Sequence, residues 1–164
     1  MAHDPALHSL LARPFQLGSQ EQFNALALEL FHLHARRNPV YRSFIDALGI
    51  DPGTITDVKD IPHLPITLFR SQRVLLDDLD PSSFFTSSGT TGAITSRHFV
   101  PFPQVYERSF MTSFSAAYGA PSEWRILALL PAYLEREGSS LVYMAQHLIR
   151  ESNDPLSGTY LYRY

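Results

Sequence analysis

Pro62 and Pro65 bar the stretch Ile61-Pro-His-Leu-Pro-Ile66 from being the interior of a helix or a central strand. Each lacks a backbone N–H and drives the residue before it into extended geometry. Apolar residues alternate along the stretch, so it reads as extended chain laid over a core. Helical periodicity dominates in front of it. Behind it, short apolar runs alternate with helical ones. At 164 residues the chain has the length of a single domain, 1–164. Residues 1–18 read as an irregular lead-in with one short helical turn at Ala6–Ala12.

The front half carries two helices with legible ends. Ser19-Gln-Glu-Gln22 is a capping box opening a helix to about Arg37. Phe23, Leu26, Ala27, Leu30, Phe31 and His34 share one face of it. Asn38 and Pro39 open the second helix and Gly49 closes it. Val40, Tyr41, Phe44, Ile45 and Leu48 form its apolar face. Arg73 to Leu76 reads as a short strand and Asp77 to Ser83 as an acidic turn.

The back half reads as strands and helices in alternation. Phe84 to Thr86 and Arg97 to Val100 are strands, and Pro103 to Tyr118 is a helix ended by Gly119. Its inward residues are Val105, Tyr106, Phe110, Met111, Phe114, Ala117 and Tyr118. Arg125 to Leu130 reads as a buried strand. Ser139 to Arg150 is a helix with Leu141, Met144, Leu148 and Ile149 inward, and Thr159 to Tyr164 a strand. The last three elements make a βαβ unit, which requires a parallel pair and a right-handed crossover. The fold class is therefore α/β: a mixed sheet with a βαβ unit and helices on both faces. A tyrosine-rich strand at the chain end leaves an open edge. The expectation is that more chain, or a second copy pairing along that edge, covers it.

Between the first two strands lies Ser87-Ser88-Gly89-Thr90-Thr91-Gly92. Glycines let the backbone turn and approach a ligand closely. Successive N–H groups in such a turn form an anion-binding nest, and hydroxyls add uncharged donors. That donor set suits a polyphosphate, whose oxygens only accept. The competing reading is an ordinary polar loop. The run is not a P-loop, which needs Gly-Lys-Ser/Thr, and no GxGxxG is present. The net charge of −3 provides no basic face for nucleic acid. Hydrophobic residues make up 45% and charged residues 18%, which excludes a disordered chain. No apolar tract approaches a membrane span and no signal peptide is evident, so a cytoplasmic location is expected.

SSGTTG between strands resembles the phosphate-binding motif of the adenylate-forming superfamily. The Pro-Lys that often follows in that superfamily is Ile94-Thr95 here. Asn38-Pro-Val-Tyr41, Ile61–Ile66 with Phe69, Ser87–Gly92 with Ser96 and His98, and Leu130–Arg136 with Ser139–Met144 are together similar to the acyl-protein synthetase family. That family supplies the fatty-acid-activating subunit of bacterial bioluminescence. The resemblance implies the fold of the N-terminal part of adenylate-forming enzymes and ATP-dependent activation of a long-chain fatty acid, with Mg²⁺. Transfer of the acyl group to a thiol follows, with an acyl-carrying protein or reductase as partner. It implies that Ser87, Ser88, Thr90 and Thr91 bind the β- and γ-phosphates while Gly89 and Gly92 permit the turn. Members are longer, and the chain has no cysteine to carry an acyl group. The expectation is a truncated, incomplete enzyme. The alternatives are a non-catalytic phosphate- or partner-binding fragment and an aryl-CoA ligase of the phenylacetate type.

The catalytic candidates are His98, Arg97 and Glu135. His98 stands on the strand after the loop, and Arg97 alternates with it to the opposite face. Glu135 follows the strand preceding the last helix. His98 and Glu135 each have a plain counterpart, a hydrogen-bonded strand histidine and a solvated turn, and at most one of Arg97 and His98 points at a ligand. Ser139 reads as a helix N-cap before a nucleophile, since no GxSxG surrounds it. The seven histidines show no metal-ligand spacing, so no metal site is assigned to protein ligands.

Overall fold

The computed structural model describes residues 5–81, 83–86, 96–130 and 138–161. They group into two compact units, Met1–Pro81 and Ser82–Tyr164.

The first unit is helical. Helix α1 (Pro5–Ala12) runs into a 3₁₀ turn over Arg13–Gln16. The lead-in is thus ordered helix, not irregular chain, because Leu7 and Leu10 are buried on one side of it. Helix α2 spans Gln20–Arg37. Ser19 Oγ accepts from the Gln22 N–H at 3.3 Å. The Gln22 side chain reaches back as the capping box requires, but to the N–H of Gly18 at 2.7 Å. Helix α3 spans Pro39–Ala47.

The corner between α2 and α3 depends on Asn38, which is 1% exposed. Its N–H donates to the His34 carbonyl at 2.9 Å and closes α2. Its side-chain Oδ1 accepts from the Tyr41 N–H at 3.2 Å and opens α3. Its Nδ2 lies 3.2 Å from His34 Nδ1. One residue thus satisfies the orphaned groups of two helix ends. The corner brings Phe31 and Ala35 against Tyr41 and Ile45, with Phe44, Ile50, Ile55, Ile61 and Leu64 packed on them. Phe23 and Leu48, expected inward, are half exposed at the helix ends. Gly49 has φ +68°, the left-handed geometry that ends α3.

Past α3 the chain makes 3₁₀ turns at Pro52–Thr54, Val58–Asp60 and Ile66–Arg70. Residues 61–65 form neither helix nor strand, as the prolines require, and Ile61 is extended. No strand forms at Arg73 to Leu76. Leu75 and Leu76 are buried without a ladder, and the Asp77 N–H donates to the Arg37 carbonyl at 2.7 Å. The Arg37 guanidinium also pairs with Asp77 and Asp78, tying the acidic turn to the end of α2.

The second unit is α/β. Strands β1 (Ser83–Thr86) and β2 (Arg97–Val100) pair antiparallel, with Thr86 opposite Arg97 and Phe85 opposite His98. Helix α4 (Pro103–Tyr118) ends at Gly119, φ +85°. Strand β3 is Leu127–Ala128, helix α5 is Ser140–Ser152 and strand β4 is Gly158–Thr159. The β3–β4 pair is parallel, the βαβ arrangement expected. Among the described residues the strands form two separate two-stranded sheets and no single mixed sheet. The expected buried strand Arg125 to Leu130 shrinks to two residues, and Leu127 and Leu129 are 58% and 75% exposed. The core of this unit is aromatic. The Phe85 ring lies 5.1 Å from Tyr106 and 5.5 Å from Tyr143, and Tyr106 lies 5.1 Å from Phe110. Ala117, Tyr118 and Leu141, expected inward, are exposed. Among the described residues no helix is long and apolar enough to cross a membrane.

Two outcomes follow for the first unit. Asn38→Ala removes the α3 cap and strands buried polar groups, so urea unfolding should report a loss of about 2 kcal/mol. Burial also pushes the His34 pKa below its ordinary 6.5. The folded state therefore prefers the neutral ring. The stability this confers is present above pH 6.5 and is lost as the pH falls below it. Between pH 7.5 and 5.5 the urea midpoint should drop further in the native protein than in His34→Gln, which keeps an acceptor for Asn38.

Candidate functional site

Ser87, Ser88, Gly89, Thr90, Thr91 and Gly92 lie outside the described residues, as does Glu135. The described residues supply the frame around them. Thr86 and Arg97 are cross-strand partners, so the chain leaves and re-enters the β1–β2 ladder at one end. At that end the Thr86 N–H donates to the Gly138 carbonyl at 2.8 Å. Gly138 has φ +83°, and a Cβ built on it would lie 3.1 Å from Thr86 Oγ1. Only glycine combines that backbone geometry with that approach.

Gly138 leads directly into α5. Ser139 Oγ accepts from the Val142 N–H at 3.4 Å, so Ser139 is the N-cap its position predicts. The N-terminal end of a helix carries partial positive charge and favours anions. The last residue before the hydroxyl-rich run is therefore pinned beside such an end. The Tyr106 hydroxyl fastens the same turn from α4, donating to the Ser140 carbonyl at 3.1 Å. Burial raises the Tyr106 pKa above its ordinary value. Beside it, the Tyr143 hydroxyl donates to Glu107.

Arg97 and His98 separate as strand alternation requires. The Arg97 guanidinium lies over the Phe84 ring, 5.5 Å from its centroid, on the face that Thr86 shares. His98 is on the other face with Phe85, its Nε2 3.3 Å from Ser96 Oγ. Ser96 is buried. Arg97 thus stands across the ladder from the root of the loop, while His98 belongs to the core side. Gly138 was invisible as a site residue in the sequence. The only signal was a glycine immediately before a helix cap. Among the described residues no group of three or more His, Asp or Glu side chains could hold a metal ion.

Comparison with known proteins gives this frame its context. The family model "Acyl-protein synthetase, LuxE" matches residues 6–102, more than half of the chain and inclusive of the SSGTTG run. The chain belongs to the acyl-protein synthetase family. Two relatives share the name long-chain-fatty-acid–luciferin-component ligase. The one from Vibrio harveyi is 35% identical over 86 residues, 50% of this chain and 22% of that protein. The one from Photorhabdus luminescens is 37% identical over 68 residues, 41% of this chain and 58% of that protein. The chain thus spans less than two thirds of either relative. No solved structure matches it. Within the acyl-protein synthetase family this chain is α/β, with a helical unit preceding a hairpin and a βαβ unit.

Gly138→Ala should destabilise the second unit by about 1–2 kcal/mol, from the left-handed backbone and the Thr86 contact together. In a Thr86→Ala background the steric share should vanish and the backbone share persist. Urea unfolding of the four-protein cycle measures both.

Proposed function

We propose that this chain carries the phosphate cradle of an ATP-dependent ligase that activates a long-chain fatty acid and passes the acyl group to a thiol. The carrying observation is the pinning of Thr86 against Gly138 at the start of α5, directly before Ser87–Gly92. The family membership and the relatives' printed names support the substrate class.

In the first step a carboxylate oxygen bonds to the α-phosphorus of ATP. The bridge to the β-phosphate breaks and pyrophosphate leaves. In the second, a thiol sulfur bonds to the acyl carbon, the acyl–oxygen bond breaks, AMP leaves and the thiol proton is released. In this reading Ser87, Ser88, Thr90 and Thr91 donate to the β- and γ-phosphates, and Gly89 and Gly92 permit the turn. Mg²⁺ shares the phosphate charge when bound. The N-terminal end of α5, next to Thr86, adds partial positive charge. Arg97, on the Thr86 face, is the cation nearest the loop root along the ladder. It is a better candidate for a phosphate contact than His98. The thiol comes from elsewhere, since this chain has no cysteine.

The test is fatty-acid-dependent exchange of pyrophosphate into ATP, measured on the complete reading frame that contains this chain. Tetradecanoic acid should support exchange. Changing Ser88, Thr90 and Thr91 together to alanine should lower it by at least about 10²-fold, the loss expected for removing one preorganised donor. An unchanged rate removes the loop from the chemistry. Exchange supported by phenylacetate and not by tetradecanoic acid would favour an aryl-CoA ligase. Binding of MgATP without exchange would favour a non-catalytic nucleotide-binding module.

A further inference from the structure

The first unit contains a groove of about 440 Å³, within the ~300–1,000 Å³ range of small-molecule sites. Its walls come from α2 on one side and from the 58–74 segment on the other. Phe23, Ala27, Leu30, Leu64, Phe69 and Val74 supply apolar surface. The polar residues that reach it are largely committed within the fold. The Tyr41 hydroxyl donates to the Pro62 carbonyl at 2.6 Å. Asn38 is used at both helix ends, and burial holds the His34 ring toward its neutral form. A charged or strongly polar ligand would lose its hydration inside and find little in return. A hydrocarbon chain would lose nothing of that kind and would gain by leaving water. The groove also differs at its edge. His63 lines it, is exposed, and makes no hydrogen bond or ion pair among the described residues. It provides a polar group where a head group would remain in solvent.

We infer that this groove binds the alkyl chain of a long-chain monocarboxylic acid, with the carboxylate left at the His63 edge. The identity of the acid rests on the proposed function, but the site lies in the helical unit and not at the phosphate loop. Phe23 illustrates the logic. It is 49% exposed and yet lines the groove, which is what a side chain waiting for an apolar ligand looks like.

The test uses the full chain without nucleotide. Decanoic acid, dodecanoic acid and 1-dodecanol are titrated below their aggregation limits and followed by NMR. Contacts are read between ligand methylenes and the methyl groups of Leu30, Leu64 and Val74. Those contacts should appear, and each added methylene should tighten binding about fourfold, to the extent that it enters the groove. Ala27→Phe, which fills the groove, should weaken both dodecyl probes at least tenfold while the melting temperature holds. His63→Gln should weaken the acid and leave the alcohol unchanged. Absence of binding overturns the inference. So do contacts confined to the second unit, or affinity unaffected by Ala27→Phe in a folded protein. Groove methyls that instead show intermolecular contacts to a second copy of the chain mark a packing surface and also overturn it. Because the readout needs no ATP, its failure leaves the exchange assay untouched, and a failed exchange assay leaves this binding intact.

Discussion

The backbone hydrogen bond from the Thr86 N–H to the Gly138 carbonyl joins the end of the β1–β2 hairpin to the start of α5. Short hairpins are marginal by themselves. This one gains rigidity because its last inward residue, Phe85, is buried among Tyr106 and Tyr143, and because its end is tied to a capped helix. Gly138 makes the tie feasible, with no side chain to collide with Thr86 and a backbone that turns left-handed. Everything proposed for the hydroxyl run depends on this anchorage. A loop rooted in a fixed frame loses less conformational freedom when it closes on a ligand.

The helical unit is organised around a different polar residue. Asn38 caps the end of α2 and the beginning of α3, and so sets the corner at which Phe31, Tyr41 and Ile45 meet. The proline-rich segment cannot form a ladder or a long helix, and it instead crosses that corner as extended chain and 3₁₀ turns. The groove is the space this coverage leaves. Its apolar character follows from the same sequence pattern that built the core, extended to residues which no core contact saturates.

Helix ends were legible in the sequence because their chemistry is local. Ser19, the Asn38-Pro39 pair, Gly119 and Ser139 each act on residues within one turn. The hairpin strands and the parallel βαβ pairing were legible for a similar reason, since alternation and order suffice. Strand extent was not. Leu127 and Leu129 read as buried strand by composition, yet a strand lasts only as long as a partner runs beside it, and here two residues pair. Leu75 and Leu76 likewise bury apolar surface without a ladder. Helix α1 was underestimated because Leu7 and Leu10 take their burial from packing that no local signal announces. The contact between Thr86 and Gly138 was hidden for the same reason, as it joins segments far apart in sequence. The hydroxyl-rich run stood out by composition, whereas the contact of Thr86 with Gly138 did not.

The central claim is that Ser87–Gly92 receives the phosphates of ATP at the start of α5. Backbone amide shifts of the isotopically labelled chain, recorded while MgATP or tripolyphosphate is added, address it most directly. The account predicts saturable shifts at the amides of Ser87 to Gly92 and of Ser140, with those of α2 and α3 unmoved by tripolyphosphate. Amides of the hydroxyl run that stay in place while shifts appear elsewhere, or nowhere, would contradict it.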